Sequence, residues 1–155
     1  MFMKNEDLNQ ALRIHAIDTN GSTGDGPGVR ALVFVQGCTR HCLGCHNKAT
    51  WAMDGGKKMT IEEIVKRLAS SSCCRVTISG GEPLLQPDGV ATLLRELKAN
   101  GFTDLCLYTG FAEDEVPFDI CENLTYLKTG EYRQEEKTSL KPFVGSANQT
   151  FRRVA

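Results

Sequence analysis

No apolar run in this sequence approaches the roughly 18 residues that a membrane-spanning helix requires, and the polar opening MFMKNEDLNQ lacks a signal-peptide core. Membrane and secretory classes are therefore not expected. Also missing is an excess of charge: 18 basic side chains face 19 acidic ones, a net of −1. Without a basic field, neither nucleic acid nor an anionic membrane is expected as the main partner. There is no internal repeat, low-complexity tract or long linker, so nothing suggests a repeat array or tethered domains.

What is present fits one globular unit. The 155 residues, 41% hydrophobic and 24% charged, predict a single domain over 1–155, with 1–10 as a loosely ordered N-terminus. A chain of this size buries roughly 68–70% of its unfolded surface, enough for a core without staples. Seven cysteines are an odd number, which argues against a secreted disulfide scaffold. Cys38, Cys42 and Cys45 crowd into eight residues, while Cys73, Cys74, Cys106 and Cys121 are scattered. This suits a reduced, cytoplasmic chain with one thiolate site, the scattered cysteines being small hydrophobes or ordinary thiols.

The hydrophobic pattern alternates between strand and helix. Residues 31–36 (ALVFVQ) read as a buried strand ending at Gly37. Thr60 and Glu63 have capping-box spacing ahead of Ile61, Ile64, Val65 and Leu68, which fall on one helical face. Residues 75–79 predict a strand, 87–100 a helix stopped by Asn100-Gly101, 105–108 a strand, and 124–128 a weaker one. Leu12–Ile17 reads as one more strand, and nothing is assigned beyond Gly130. This order implies an α/β fold with a mostly parallel sheet and helical crossovers. A closed eight-stranded barrel typically takes roughly 250 residues, so a partial, open barrel is expected. The loops holding the three cysteines, Gly80-Gly81, Thr109-Gly110 and Thr129-Gly130 all follow strands and should gather at one edge of the sheet.

The segment Cys38-Thr39-Arg40-His41-Cys42-Leu43-Gly44-Cys45-His46 carries the chemistry. Three thiolates on one short loop suit either of two metal centres. Structural zinc needs a fourth protein ligand, which His41 or His46 would have to supply. An iron–sulfur cube with three cysteine ligands keeps one iron open, so a substrate can bind the cluster directly. The two histidines read better as loop residues beside the site than as ligands. Trp51 suits a cluster shield or a core residue equally, and Arg30 suits a partner in Asp25 or in a cleft carboxylate. The run 134–137 (QEEK) reads as a solvated surface.

C-x3-C-x2-C together with Gly80-Gly81-Glu82-Pro83 past a strand resembles the radical S-adenosylmethionine enzymes. Asp25-Gly26-Pro27-Gly28-Val29-Arg30, Phe34-Val35-Gln36-Gly37-Cys38, Cys45-His46-Asn47 and Trp51 narrow the resemblance to the glycyl-radical-enzyme activases. Tyr108-Thr109-Gly110 and Gly145-Ser146-Ala147-Asn148-Gln149 bring it nearest to the anaerobic ribonucleotide reductase activating proteins. The stretch 129–143 departs from them, which loosens the choice of partner.

The resemblance implies a partial β/α barrel of the radical S-adenosylmethionine type. It implies a [4Fe-4S] cluster on Cys38, Cys42 and Cys45, with S-adenosylmethionine held near Gly80, Gly81, Glu82, Tyr108 and Thr109. No catalytic side chain beyond the cluster and S-adenosylmethionine is implied. Reductive cleavage of S-adenosylmethionine would generate a glycyl radical on a partner, most simply the anaerobic ribonucleotide reductase, with flavodoxin or ferredoxin as electron donor. The alternatives are a partner of the pyruvate formate-lyase type, a small-molecule radical enzyme, and more distantly a zinc-stapled binding module.

Overall fold

The computed structural model describes residues 7 and 9–154; the remainder of the N-terminal stretch expected to be loosely ordered lies outside the described residues. Seven strands form one sheet: β1 (Ala11–Ser22), β2 (Arg30–Val35), β3 (Lys57–Thr60), β4 (Arg75–Gly80), β5 (Asp104–Tyr108), β6 (Tyr126–Thr129) and β7 (Thr150–Arg153), in the order β3-β1-β2-β4-β5-β6-β7. The four central strands, β2, β4, β5 and β6, run parallel, while β3, β1 and β7 add antiparallel flanks. The flanking β3 and β7 are additions to the expected set, and β1 runs on past Ile17 to Ser22.

Three α-helices that lie wholly within the described residues accompany the sheet: α1 (Ile61–Ala69), α2 (Pro87–Ala99) and the single turn α3 (Phe118–Cys121). Helix α1 begins where the sequence predicts. The Glu63 N–H donates to Thr60 Oγ1 at 3.1 Å and the Thr60 N–H donates to Glu63 Oε2 at 3.4 Å, closing the capping box. Such a cap stabilises by about 1 kcal/mol. Helix α2 has Pro87 in its first turn and stops at Asn100-Gly101, where Gly101 adopts φ +91°.

Alternation along the central strands separates two faces. Val33, Val35, Val76, Ile78, Leu105 and Leu107 join Ile64, Leu68, Val90, Leu94 and Leu97 of the helices in one apolar core. The intervening positions, Thr77, Ser79, Cys106, Tyr108, Tyr126 and Lys128 among them, belong to the opposite, inner face of the curved sheet.

Arg30 anchors one end of that inner face, and its side chain is fully buried. Its guanidinium donates to Thr77 Oγ1 at 2.8 Å, the Pro27 carbonyl at 2.7 Å and Asp104 Oδ1 at 2.8 Å. The ion-pair partner is thus Asp104 rather than Asp25. Asp25 is held instead through its carbonyl, which accepts from the Thr77 hydroxyl at 2.7 Å. One cation therefore fixes the Asp25–Gly28 loop to the starts of β4 and β5, and each of its three nitrogens has an acceptor, as a buried charge requires. Of the scattered cysteines, Cys73 and Cys106 are buried, Cys121 is half-buried and Cys74 is exposed. Burial pushes the Cys106 thiol up to about 12, so it stays protonated and inert.

Candidate functional site

The four loops after β2, β4, β5 and β6 meet at one edge of the sheet, around a single cavity. Cys38, Cys42 and Cys45 line it, and so do Gly80, Gly81, Glu82, Tyr108 and Thr109. All eight residues singled out from the sequence are thus brought together. The cavity is also lined by Arg40, Trp51, Lys128, Tyr132 and Gln149, which sequence reading did not assign to it, with Trp51 left undecided.

The cysteine loop and the glycine loop are locked backbone to backbone. The Gly81 N–H donates to the Val35 carbonyl at 2.9 Å, and the Glu82 N–H donates to the Gly37 carbonyl at 2.8 Å. A Cβ on Gly81 would lie 2.3 Å from the Gly37 carbonyl oxygen. Glycine is demanded here by the neighbouring cysteine loop itself, before any ligand is considered.

Glu82 serves the loops in the same way. Its carboxylate is buried and accepts from the Gly110 N–H at 2.7 Å, the Leu84 N–H at 2.9 Å and the Thr109 hydroxyl at 2.8 Å. The resemblance places it beside S-adenosylmethionine; within the protein it braces the Thr109-Gly110 turn against the glycine loop. Burial pushes its carboxyl above the usual range, while the Leu84 and Gly110 N–H groups, the Thr109 hydroxyl and the Arg40 charge pull it back.

Arg40 lies between Cys38 and Cys42, its guanidinium 4.3 Å from the centre of the Phe111 ring and 3.9 Å from Glu82. His41 takes a left-handed backbone, φ 47°, and stacks on Trp51 with ring centres 4.4 Å apart. Burial raises the Cys42 thiol, and the neighbouring Cys38 and Cys45 add to the rise; the Tyr132 backbone N–H opposes it.

Lys128 is the largest omission from the sequence reading. Its Nζ lies 3.9 Å from the centre of the Tyr108 ring, and burial pushes it down from 10.5 to about 8. The available signal was positional: Lys128 is the last inner-face residue of β6, directly opposite Tyr108.

The donor chemistry fits an anionic, thiolate-held group. Among the described residues, four buried side-chain polar atoms lack a hydrogen-bond partner, and three of them, Arg40 Nε, Trp51 Nε1 and Tyr108 Oη, belong to residues lining this cavity. All three carry N–H or O–H groups, and burying them unpaired costs free energy that an acceptor-rich occupant would return. No three His, Cys, Asp or Glu side chains among the described residues are gathered as ligands of a single ion. Cys38, Cys42 and Cys45 share the wall of one cavity, and cysteine thiolates are the donors that iron–sulfur clusters take.

Fold and cysteine loop together define an iron–sulfur protein of the partial-barrel kind. The chain belongs to the family described as the 4Fe-4S single cluster domain, which matches residues 24–152. It is 46% identical over 95 residues to the pyruvate formate-lyase-activating enzyme of Clostridium pasteurianum, covering 57% of this chain and 40% of that one. It is 42% identical over 103 residues to the pyruvate formate-lyase 1-activating enzyme of Escherichia coli K12, covering 63% and 41%. The chain therefore spans about two fifths of the length of these relatives. In three dimensions it resembles QueE from Escherichia coli with a TM-score of 0.56 and 17% identity, over 74% of this chain and 68% of that one, which places the fold. No helix among the described residues is long and apolar enough to cross a membrane.

Proposed function

We infer that this chain is a cytoplasmic, single-domain radical S-adenosylmethionine activase that generates a glycyl radical on a partner enzyme. The observation that carries the reading is the convergence of the three thiols, the glycine loop and three unpaired buried donors on one cavity. When bound, the [4Fe-4S] cluster supplies one electron and an iron with an open coordination position.

The chain's own residues place the ligand and exclude water. Cys38, Cys42 and Cys45 hold the cluster. Gly80 and Gly81 let the backbone lie against the cysteine loop, so that the methionine end of S-adenosylmethionine is presented beside it. Glu82 fixes Thr109 and Gly110 on the opposite wall. Lys128 and Arg40 offer positive charge toward a carboxylate, and Tyr108 covers the inner face of the sheet. Holding a reactive sulfonium in one pose, away from solvent, is the contribution such a scaffold makes.

The anaerobic ribonucleotide reductase is the proposed partner, supported by the segment Gly145–Gln149. There Gln149 Oε1 accepts from the Gly145 N–H at 2.8 Å and the Ser146 N–H at 3.2 Å, shaping the last loop at the cavity. The relatives at 42–46% identity favour a second reading, a partner of the pyruvate formate-lyase type. One experiment covers both. The anaerobically reconstituted, reduced protein is mixed with S-adenosylmethionine and each partner, and a doublet paramagnetic resonance signal is sought. A signal on one partner, absent from its glycine-to-alanine variant, assigns that partner. Formation of 5′-deoxyadenosine without a glycyl radical on either would reject the activase and favour a small-molecule radical enzyme.

A further inference from the structure

Of the three unpaired buried donors in the cavity wall, only one belongs to a charged side chain. Trp51 Nε1 and Tyr108 Oη are neutral and stand outside the cysteine segment. Arg40 lies within it, between Cys38 and Cys42, and lines the same cavity as all three cysteines.

This cation is clamped from several sides. Its guanidinium carbon lies 4.3 Å from the centre of the Phe111 ring, a cation–π contact. Gly110 makes room for its stem, since a Cβ there would lie 2.7 Å from both Cδ and Nε of Arg40. Glu82 Oε1 is 3.9 Å from Nε, too far for a hydrogen bond. That carboxylate is already committed to the Leu84 and Gly110 N–H groups and to the Thr109 hydroxyl. Glu131 Oε2 lies 3.6 Å from Nη1, but Glu131 is exposed and its other oxygen faces Arg133, also at 3.6 Å. Neither carboxylate takes the Nε proton, and solvent does not reach it. A side chain held this firmly, with one N–H left over, is arranged for an acceptor that the chain does not itself supply.

We propose that Arg40 sets the reduction potential of the cluster held by Cys38, Cys42 and Cys45: its Nε–H donates to a cluster sulfur, and its fixed charge raises the potential. One added electron makes the cluster more negative by one charge. A hydrogen bond to sulfur and an adjacent cation therefore stabilise the reduced form more than the oxidised one. Charge-assisted donors are the strong ones, and a wall withheld from water does not screen them. Because Gly110 and Phe111 hold the side chain, the loop after β5 contributes to the potential without supplying a ligand. The inference rests on the reading that the three cysteines hold a redox-active cluster; it is independent of what the reduced cluster then does.

The test is a potentiometric titration of the anaerobically reconstituted protein without S-adenosylmethionine, with iron and sulfide measured alongside. The parent is compared with Arg40→Gln, Arg40→Lys and Phe111→Leu. At the parent's midpoint, Arg40→Gln should lower the reduced-to-oxidised ratio roughly tenfold, a shift of about 59 mV for a one-electron couple. Arg40→Lys keeps the charge but loses the Nε donor, and should fall in between. Phe111→Leu releases the guanidinium and should shift the midpoint the same way by less. A merely structural role would lower iron content and leave the midpoint of the loaded fraction unmoved, which overturns the proposal. So does an unmoved midpoint with weakened S-adenosylmethionine binding, which would make Arg40 a ligand contact only. Should Arg40→Gln take up no iron, the Arg40→Lys midpoint decides: lowered upholds the proposal and unchanged overturns it. A parent protein that assembles no iron–sulfur cluster rejects the cluster reading and the proposal with it. A lowered midpoint in a protein that forms no glycyl radical on either partner upholds the role of Arg40 and rejects the activase reading.

Discussion

The two faces of the central sheet are cut from alternate residues of the same four strands, yet they are opposite in chemistry. On the helix-covered face, Val33, Val76, Ile78, Leu105 and Leu107 meet only apolar neighbours of the core. On the inner face stand Arg30, Thr77, Cys106, Tyr108 and Lys128, where burial is combined with charge and hydroxyls. The first face holds the fold together and the second bears the cost of polar groups withheld from water. Stability and chemistry are thereby separated by a period of two residues.

That separation can be broken in graded ways. The largest effect is expected at the edge of the inner face. Alanine at Cys38, Cys42 or Cys45 should abolish normal iron loading, whereas alanine at Cys73, Cys74 or Cys121 should leave iron and sulfide content intact. Full loading of Cys42→Ala would reject the ligand set.

On the apolar face, Leu107→Ala should cost about 3 kcal/mol of stability by denaturant unfolding, since it empties a fully buried site. A cost near zero would mean that the helices pack elsewhere.

Lys128→Met sharpens the comparison because it should act in the opposite direction. Burial depresses the Lys128 amine from 10.5 to about 8. Below pH 8 the folded and unfolded chains both carry the proton, and folding bears the full cost of burying the charge. Between pH 8 and 10.5 the folded chain has released the proton and the unfolded chain has not, so stability rises with pH through this window. The variant should therefore exceed the parent by about 3 kcal/mol at pH 7, with its advantage shrinking toward pH 10.5. A gap that does not vary with pH would exclude charge burial as its cause.

The smallest effect lies away from both faces. Thr60→Ala removes one half of the capping box and should cost about 1 kcal/mol, with no change in cluster content.

The sequence made some of this legible and left the rest to topology. Helix α1 could be read to the residue because its signals are local: a hydroxyl, a carboxylate three positions on, and an apolar stripe. Strand β2 was legible because both of its faces are buried, which writes a nearly continuous apolar run, and β4 and β5 because Val76 and Ile78, and Leu105 and Leu107, recur at every second residue. Strands β3 (KKMT) and β7 (TFRR) were not, since they are short flanking strands with exposed charged residues, and their pairing is decided by β1 and β6. The same division holds at the site. Three cysteines within eight residues announce themselves, and so do two adjacent glycines before a glutamate. Lys128, Gln149 and Trp51 come from separate segments, and only the closure of the loops brings them to one cavity.

Trp51 is the sole tryptophan of the chain and lines the cavity beside Cys38. The molecule is thus equipped with an internal optical gauge. Indole emission comes from one place only, and an iron–sulfur chromophore bound at that wall would quench it by short-range energy transfer. Fluorescence titration should therefore follow cluster assembly and loss in real time and without a label, and any signal change can be assigned to a single ring rather than apportioned among several.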